Sequence, residues 1–410
     1  VSKPLDFAPD GDVTYLTDVE GVYPKLTSFC RGNPSLSLVD GRLEVRPGHL
    51  FVFGGDAVDR GPHGRRIVRA LVDVKRRQPE QVVLLAGNRD INKLRLAREL
   101  RGHLPKRAPA EASEWPLPDL LRFLLEHTMG AKGAFAFRQV ELREQDPRAN
   151  DDDVVQSFLD DVSRDGDVLA YLQLAQLGFR AGATLFVHGG VTKENLGHVP
   201  ASPTRDVSAH HFHDVDAWVS GLNEWYRGEL SAFDAGHGYD ALMAYQAPLP
   251  GTRLNQASVV YGRPTDDLNN PVLPAPEVIA TLAQSGVRRL VYGHTPIGDV
   301  PCVLRDREGT LETICADCSR GRDEEAPRLS LRDDFVSLEG HAVLDDGERV
   351  HHAARLDANV DVAPLARSTG TGHSVRSRLD DGRFLIARFF ESFRTEQVAV
   401  SPEDLERTLV

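Results

Sequence analysis

Five apolar runs in this chain each break off at a polar residue beside a glycine. Val13–Leu16 runs into Thr17-Asp18-Val19-Glu20-Gly21, and Leu50–Phe53 into Gly54-Gly55-Asp56-Ala57-Val58-Asp59-Arg60-Gly61. Val82–Leu85 leads to Gly87-Asn88-Arg89-Asp90, Thr184–Val187 to His188-Gly189-Gly190, and Leu290–Tyr292 to Gly293-His294-Thr295. Short apolar runs bounded by glycine read as buried strands, and they alternate with helical patterns up to about Arg101. In α/β sheets, polar groups at the carboxyl ends of strands meet in one crevice. Five such ends can therefore converge on a single site.

The residues delivered there are the carboxylates Asp18, Glu20 and Asp56, the amide Asn88, and the imidazoles His188 and His294. Oxygen ligands with a minority of imidazole suit Mn²⁺, Fe or Zn²⁺ better than Ca²⁺. Two ions about 3.5–4 Å apart clamp the attacking and leaving oxygens of a phosphoryl displacement and acidify a bound water. No Gly-x-Ser-x-Gly elbow or reactive cysteine motif offers a protein nucleophile instead.

The motif order over roughly residues 12–320 resembles the calcineurin-like metallophosphoesterases, and Asp59-Arg60-Gly61 resembles their phosphoprotein-phosphatase branch. The resemblance implies an α/β/β/α two-sheet sandwich with the metals at the strand ends. It implies that Asp18 and the residue at 20 hold a first metal, that Asp56 bridges, and that Asn88, His188 and His294 hold a second. Arg60 would bind phosphate through its bidentate fork. Arg263, in Tyr261-Gly262-Arg263-Pro264, stands where that branch places a second phosphate-clamping arginine, ahead of Arg253.

Two positions depart from the family pattern. Glu20 replaces the usual histidine, which favours a harder ion: two divalent ions are expected, Mn²⁺ first, with Mg²⁺, Fe and Zn²⁺ as alternatives. The other reading of Glu20 is a carboxylate opening the helix that begins near Val22. Arg89 replaces the histidine that protonates the leaving group, and a guanidinium stays charged. Losing a general acid typically costs about 10²–10⁴-fold in rate. Arg89 can instead stabilise phosphate charge, with Asp59 as its ion-pair partner, and Asp90 is the next candidate proton donor.

Other polar clusters have plainer readings. Cys315-Ala316-Asp317-Cys318 has no second ligand pair for zinc, so buried thiols are expected, with Asp317 and Ser319-Arg320-Gly321 beside the metal centre. His211 and His213 precede a helix whose Val215, Trp218, Val219, Leu222, Trp225 and Tyr226 recur at core spacing; these histidines could line the substrate mouth.

At 410 residues and a net charge of −13, the chain argues against nucleic acid or an anionic membrane as partner. Cysteines without framework spacing, no long apolar span and no leader pattern suggest a cytoplasmic protein. The catalytic domain is read as 1–329, with insertions 102–180 and 192–275 forming a cap, followed by a small antiparallel β extension over 330–410. The Asp40-Gly41 hairpin decorates the first crossover, and a helix over 62–78 starts at Pro62. The reaction implied is hydrolysis of a phosphomonoester, on a small metabolite or phosphoserine/threonine. Alternatives are a nucleotide diester or anhydride hydrolase, or a non-hydrolytic phosphate-binding regulatory module. Oligomeric state is not legible.

Overall fold

The computed structural model describes residues 11–234, 240–358, 364–390 and 394–409. The first ten residues, where a leader would be sought, lie outside that set. Two sheets face each other. In the larger, the strands run Arg394–Val400, Phe384–Phe390, Ser374–Leu379, Arg349–Asp357, Phe335–Val343, Arg328–Leu331, Val13–Leu16, Leu50–Phe53, Val82–Leu84. In the smaller they run Cys302–Arg305, Glu312–Cys315, Arg289–Tyr292, Thr184–Val187, Gly178–Ala181.

Each of the five motif-bearing strands has a parallel neighbour, three of them adjacent in the larger sheet and two adjacent in the smaller. Val13–Leu16 pairs in register with Leu50–Phe53, and that strand with Val82–Leu84. Across the sandwich, Arg289–Tyr292 pairs in parallel with Thr184–Val187. Successive side chains point to opposite faces of a strand. Tyr15, Leu50, Val52 and Val83 accordingly meet Phe186, Val291 and Ile314 between the sheets. Leu16, Phe51, Phe53 and Leu84 point outward beneath helices carrying Ile67, Leu71, Leu169 and Leu172. Burial on both faces explains the unbroken apolar runs, each large side chain contributing about 1.5–3 kcal/mol. The result is the expected α/β/β/α layering.

The Leu36–Val39 and Arg42–Val45 hairpin forms as expected, with Asp40 and Gly41 both at positive φ in its turn. The helix expected from Pro62 starts two residues later and spans Gly64–Arg77. His63 N–H donates to the Gly21 carbonyl at 3.0 Å, tying Pro62 and His63 to the first strand's loop. The 102–180 stretch is helical, with its own core of Leu120, Leu121, Leu124, Val154, Val155 and Phe158. In the 192–275 stretch the long helix Val215–Asp234 turns Trp218, Leu222, Trp225 and Tyr226 into the main core. Asp214 caps it by accepting Ala217 N–H at 2.8 Å.

The strands beyond residue 330 are antiparallel, and they continue the larger sheet. Arg328–Leu331 pairs with Val13–Leu16 on one side and Phe335–Val343 on the other. The boundary drawn between 329 and 330 thus falls inside a strand. No helix among the described residues is long and apolar enough to cross a membrane.

Candidate metal centre

Backbone geometry at the strand ends is unusual where the polar residues sit. Asp18, Glu20, Asp56, Asp59 and His294 all have positive φ, a region costly for non-glycine residues. Asp18 N–H donates to Gly55 carbonyl at 2.9 Å and Glu20 N–H to Asp56 carbonyl at 3.0 Å, lacing the first two loops together. A Cβ at Gly87 would collide with Asp56 Oδ1, and one at Gly293 with Asp18 Oδ2. Glycine at those positions lets the neighbouring loops close around the carboxylates.

The expected ligands come together. Asp56, His188 and His294 each place one ligand atom within 4.8 Å of the others, as do Asp18, Glu20 and Asp56. His188 Nδ1 lies 2.7 Å from the Gly54 carbonyl, so that nitrogen donates and Nε2 turns its lone pair inward. Nε2 faces Asn88 Oδ1 at 3.3 Å and Asp56 Oδ1 at 3.4 Å. His294 Nε2 is buried, with no hydrogen-bond partner among the described residues. Burial, then Arg263, His188 and Arg89, hold the His294 imidazole well below its ordinary range, so it is neutral. A buried lone pair without a donor fits a metal ion. Asp18 is pushed up by burial and by the charges of Asp317 and Asp56, the repulsion a cation relieves.

Glu20 does not open the adjacent helix. It is 3% exposed, and the helix Tyr23–Cys30 has no acidic residue in its first turn. Its Oε1 lies 2.5 Å from Arg89 Nε and its Oε2 3.0 Å from Arg60 Nε. Burial nevertheless pushes its carboxyl up to about 7 against both arginines. Arg89 also reaches Asp59 Oδ2 at 3.4 Å, the expected ion pair, and Asp56 Oδ2 at 3.5 Å.

Asp90 sits differently from a proton donor. Its Oδ2 accepts Asp56 N–H and Gly87 N–H, and its Oδ1 accepts Ala57 N–H, at 2.8–3.0 Å. It is 1% exposed and outside the pocket lining, although burial and Asp56 push it up to about 8. The carboxyl ties the second and third loops together from behind the pocket wall.

The centre floors a pocket of about 590 Å³ lined by Arg60, Asn88, Arg89, Arg263 and His294 among others. Asp317, Ser319 and Arg320 line it as expected, and Arg253 does not. The helical insertion supplies the rim through Pro105–Arg107 and Glu126–Gly130. His211 and His213 are elsewhere, in a separate cavity with Trp218 and Glu277. The four cysteines are free and buried, and Cys315 Sγ donates to Thr295 carbonyl.

Sequence reasoning missed Lys93 and the ring of Tyr261. Lys93 Nζ is buried beneath the floor, 2.8 Å from Asp59 Oδ2 and 2.6 Å from Asn92 Oδ1. Its signal was a lysine one helical turn after Arg89, on the same helix face. Tyr261 packs its ring 4.8 Å from that of His294.

Residues 34–298, more than half the chain, match the sequence model of the calcineurin-like phosphoesterase family; the match begins after Asp18 and Glu20. Curated proteins give no match. Among solved structures, a cold-active protein-tyrosine phosphatase from Shewanella aligns at 17% identity, covering 86% of this chain and 84% of that one, with a TM-score of 0.46. A Saccharomyces cerevisiae serine/threonine phosphatase aligns at 13% identity over 87% and 83%, TM-score 0.36. A metallophosphoesterase from Sphaerobacter thermophilus aligns at 13% identity over 85% and 89%, TM-score 0.29. Ordered motifs, a converged ligand set and the family match over residues 34–298 lead to one conclusion: the chain belongs to the calcineurin-like phosphoesterase family.

Proposed function

We propose that this protein is a metal-dependent phosphatase acting on phosphomonoesters, a small phosphorylated metabolite or a phosphoserine/threonine side chain. The observation that carries it is the pairing of an inward-facing His188 Nε2 with a buried His294 Nε2, which has no hydrogen-bond partner among the described residues, around Asp56 and Asn88 beneath an arginine-lined pocket. Those four residues would hold a divalent ion, Mn²⁺ by the mixed oxygen and imidazole donor set. When bound, the ion supplies Lewis acidity and an acidified water as nucleophile.

The chain's own residues do the rest. Arg60 and Arg263 clamp phosphate oxygens, and Arg89 offers charge to oxygens that become more negative in the transition state. Glu20 holds Arg60 and Arg89 in place, and Asp59 holds Arg89. Asp90 fixes the loops that carry Asp56 and Asn88. Neither Arg89, which stays charged, nor Asp90, which is buried outside the pocket lining, replaces the family's proton-donating histidine. That feature favours aryl phosphates, and it is the one observation favouring an anhydride substrate as a second reading.

The test is turnover of an aryl phosphate by purified protein with Mn²⁺. Asp56→Asn is expected to abolish metal-dependent turnover, and Cys318→Ser to keep most of it. No turnover by folded, Mn²⁺-loaded protein that still binds phosphate would turn the reading into a regulatory phosphate-binding module. An acidic chain of this charge is not expected to take nucleic acid or a membrane as partner.

A further inference from the structure

Glu20 and Arg89 depart from the family pattern together, and the structure puts them in contact. Resting on the phosphoesterase reading above, we propose that the Arg89 guanidinium occupies the place of the first metal ion. The site then takes a single divalent ion, on Asp56, Asn88, His188 and His294, beside a fixed organic cation.

The first position belongs by motif order to Asp18, residue 20 and Asp56. One guanidinium spans two of the three: Arg89 Nε lies 2.5 Å from Glu20 Oε1 and 3.5 Å from Asp56 Oδ2. The second Glu20 oxygen faces Arg60 Nε at 3.0 Å. Asp18 is also engaged, with Thr17 Oγ1 donating to its Oδ2 at 2.6 Å and His294 N–H within 3.3 Å of both its oxygens.

Asp56 shows the division most clearly. Its Oδ1 faces His188 Nε2 at 3.4 Å, towards the second position, while its Oδ2 faces the Arg89 guanidinium. The bridging carboxylate thus still joins two cationic positions, and one of them is filled by protein. Of the three carboxylates whose oxygens lie within 4.8 Å of one another, Glu20 and Asp56 face arginine, and Asp18 is taken up by Thr17 and the His294 N–H.

Arg89 is built in rather than loosely placed. Its side chain is 12% exposed, its Nη1 donates to the Gly130 carbonyl at 3.2 Å, and it reaches Asp59 Oδ2 at 3.4 Å. Asp59 is held in turn by Lys93 at 2.8 Å, and Lys93 Nζ also donates to the Arg89 carbonyl at 3.1 Å. A divalent ion at the first position would sit against this buried like charge. A guanidinium there still grips phosphate oxygens in a planar fork, but it acidifies no water.

Mn²⁺ binding to the chelator-treated 410-residue chain tests this, read by elemental analysis and by electron paramagnetic resonance. The wild type is expected to take up about one Mn²⁺ per chain with the spectrum of an isolated ion, and His294→Ala to lose it. Glu20→His/Arg89→His is expected to take up a second ion and show a spin-coupled spectrum. Two coupled ions in the wild type overturn the proposal and leave the phosphoesterase reading standing, and a folded double variant still holding one ion also overturns it. Should the double variant not fold, the wild-type count decides. A wild type that binds no Mn²⁺ and turns over no aryl phosphate overturns the phosphoesterase reading itself.

Discussion

A single buried ammonium ties the pocket floor together. Lys93 is 2% exposed and faces Asp59, whose other oxygen, Oδ1, has no hydrogen-bond partner among the described residues. Removing Lys93 leaves the buried Asp59 carboxylate with the longer Arg89 contact at 3.4 Å alone, a loss of about 3 kcal/mol, the lower end for a broken buried pair. Lys93→Met is therefore expected to destabilise the fold by roughly that amount in urea unfolding. A loss below about 1 kcal/mol, the size of an exposed pair, would mean that Arg89 alone compensates Asp59. Most of the site was legible at this scale, because glycine-flanked strand ends carry one polar residue each. Lys93 was not, because a charged residue in a helix reads as an exposed face until the helix is docked. The surroundings of Asp90 are not legible for a related reason: sequence does not show that its oxygens accept three backbone N–H groups.

Elements differ in how far their own sequence fixes them. The motif strands were readable because both their faces are buried, whereas the start of the helix Gly64–Arg77 was set by a tertiary bond from His63 to Gly21 that no local signal encodes. The strand Arg349–Asp357 carries a titration of its own. His352 is fully buried opposite Gly340, and neither ring nitrogen has a hydrogen-bond partner among the described residues. Burial, then the charges of His351 and His341, push its imidazole from 6.5 down to about 3, with Asp323 and Asp380 opposing. Between those two values the unfolded chain binds a proton that the folded chain refuses. Stability is then full above about 6.5 and falls as the pH drops towards 3. Thermal melts at neutral and mildly acidic pH are expected to show a smaller acid-induced loss in His352→Leu than in the wild type. Identical pH dependence in the two would contradict the assignment.

At the scale of the whole molecule, the antiparallel strands after residue 330 share a sheet and a core with the strands that bear the ligands. Leu329, Leu331, Val336, Leu338 and Leu356 join Tyr15, Leu50 and Phe186 between the sheets. Asp299, shortly after the last motif, accepts Gln397 Nε2 at 2.8 Å. Sequence patterning showed these as short alternating strands but not which edge they extend, since partner choice depends on long-range pairing. Calorimetry is expected to give one cooperative unfolding transition, and two resolved transitions would show that the C-terminal strands fold apart.

The central claim is that Asp56, Asn88, His188 and His294 hold the metal on which phosphate hydrolysis depends. Anomalous diffraction at the manganese edge from Mn²⁺-soaked crystals tests it most directly. A manganese peak is expected within bonding distance of Asp56, Asn88 and the Nε2 atoms of His188 and His294. A fully soaked crystal with no peak there, or with manganese bound only elsewhere, would contradict it.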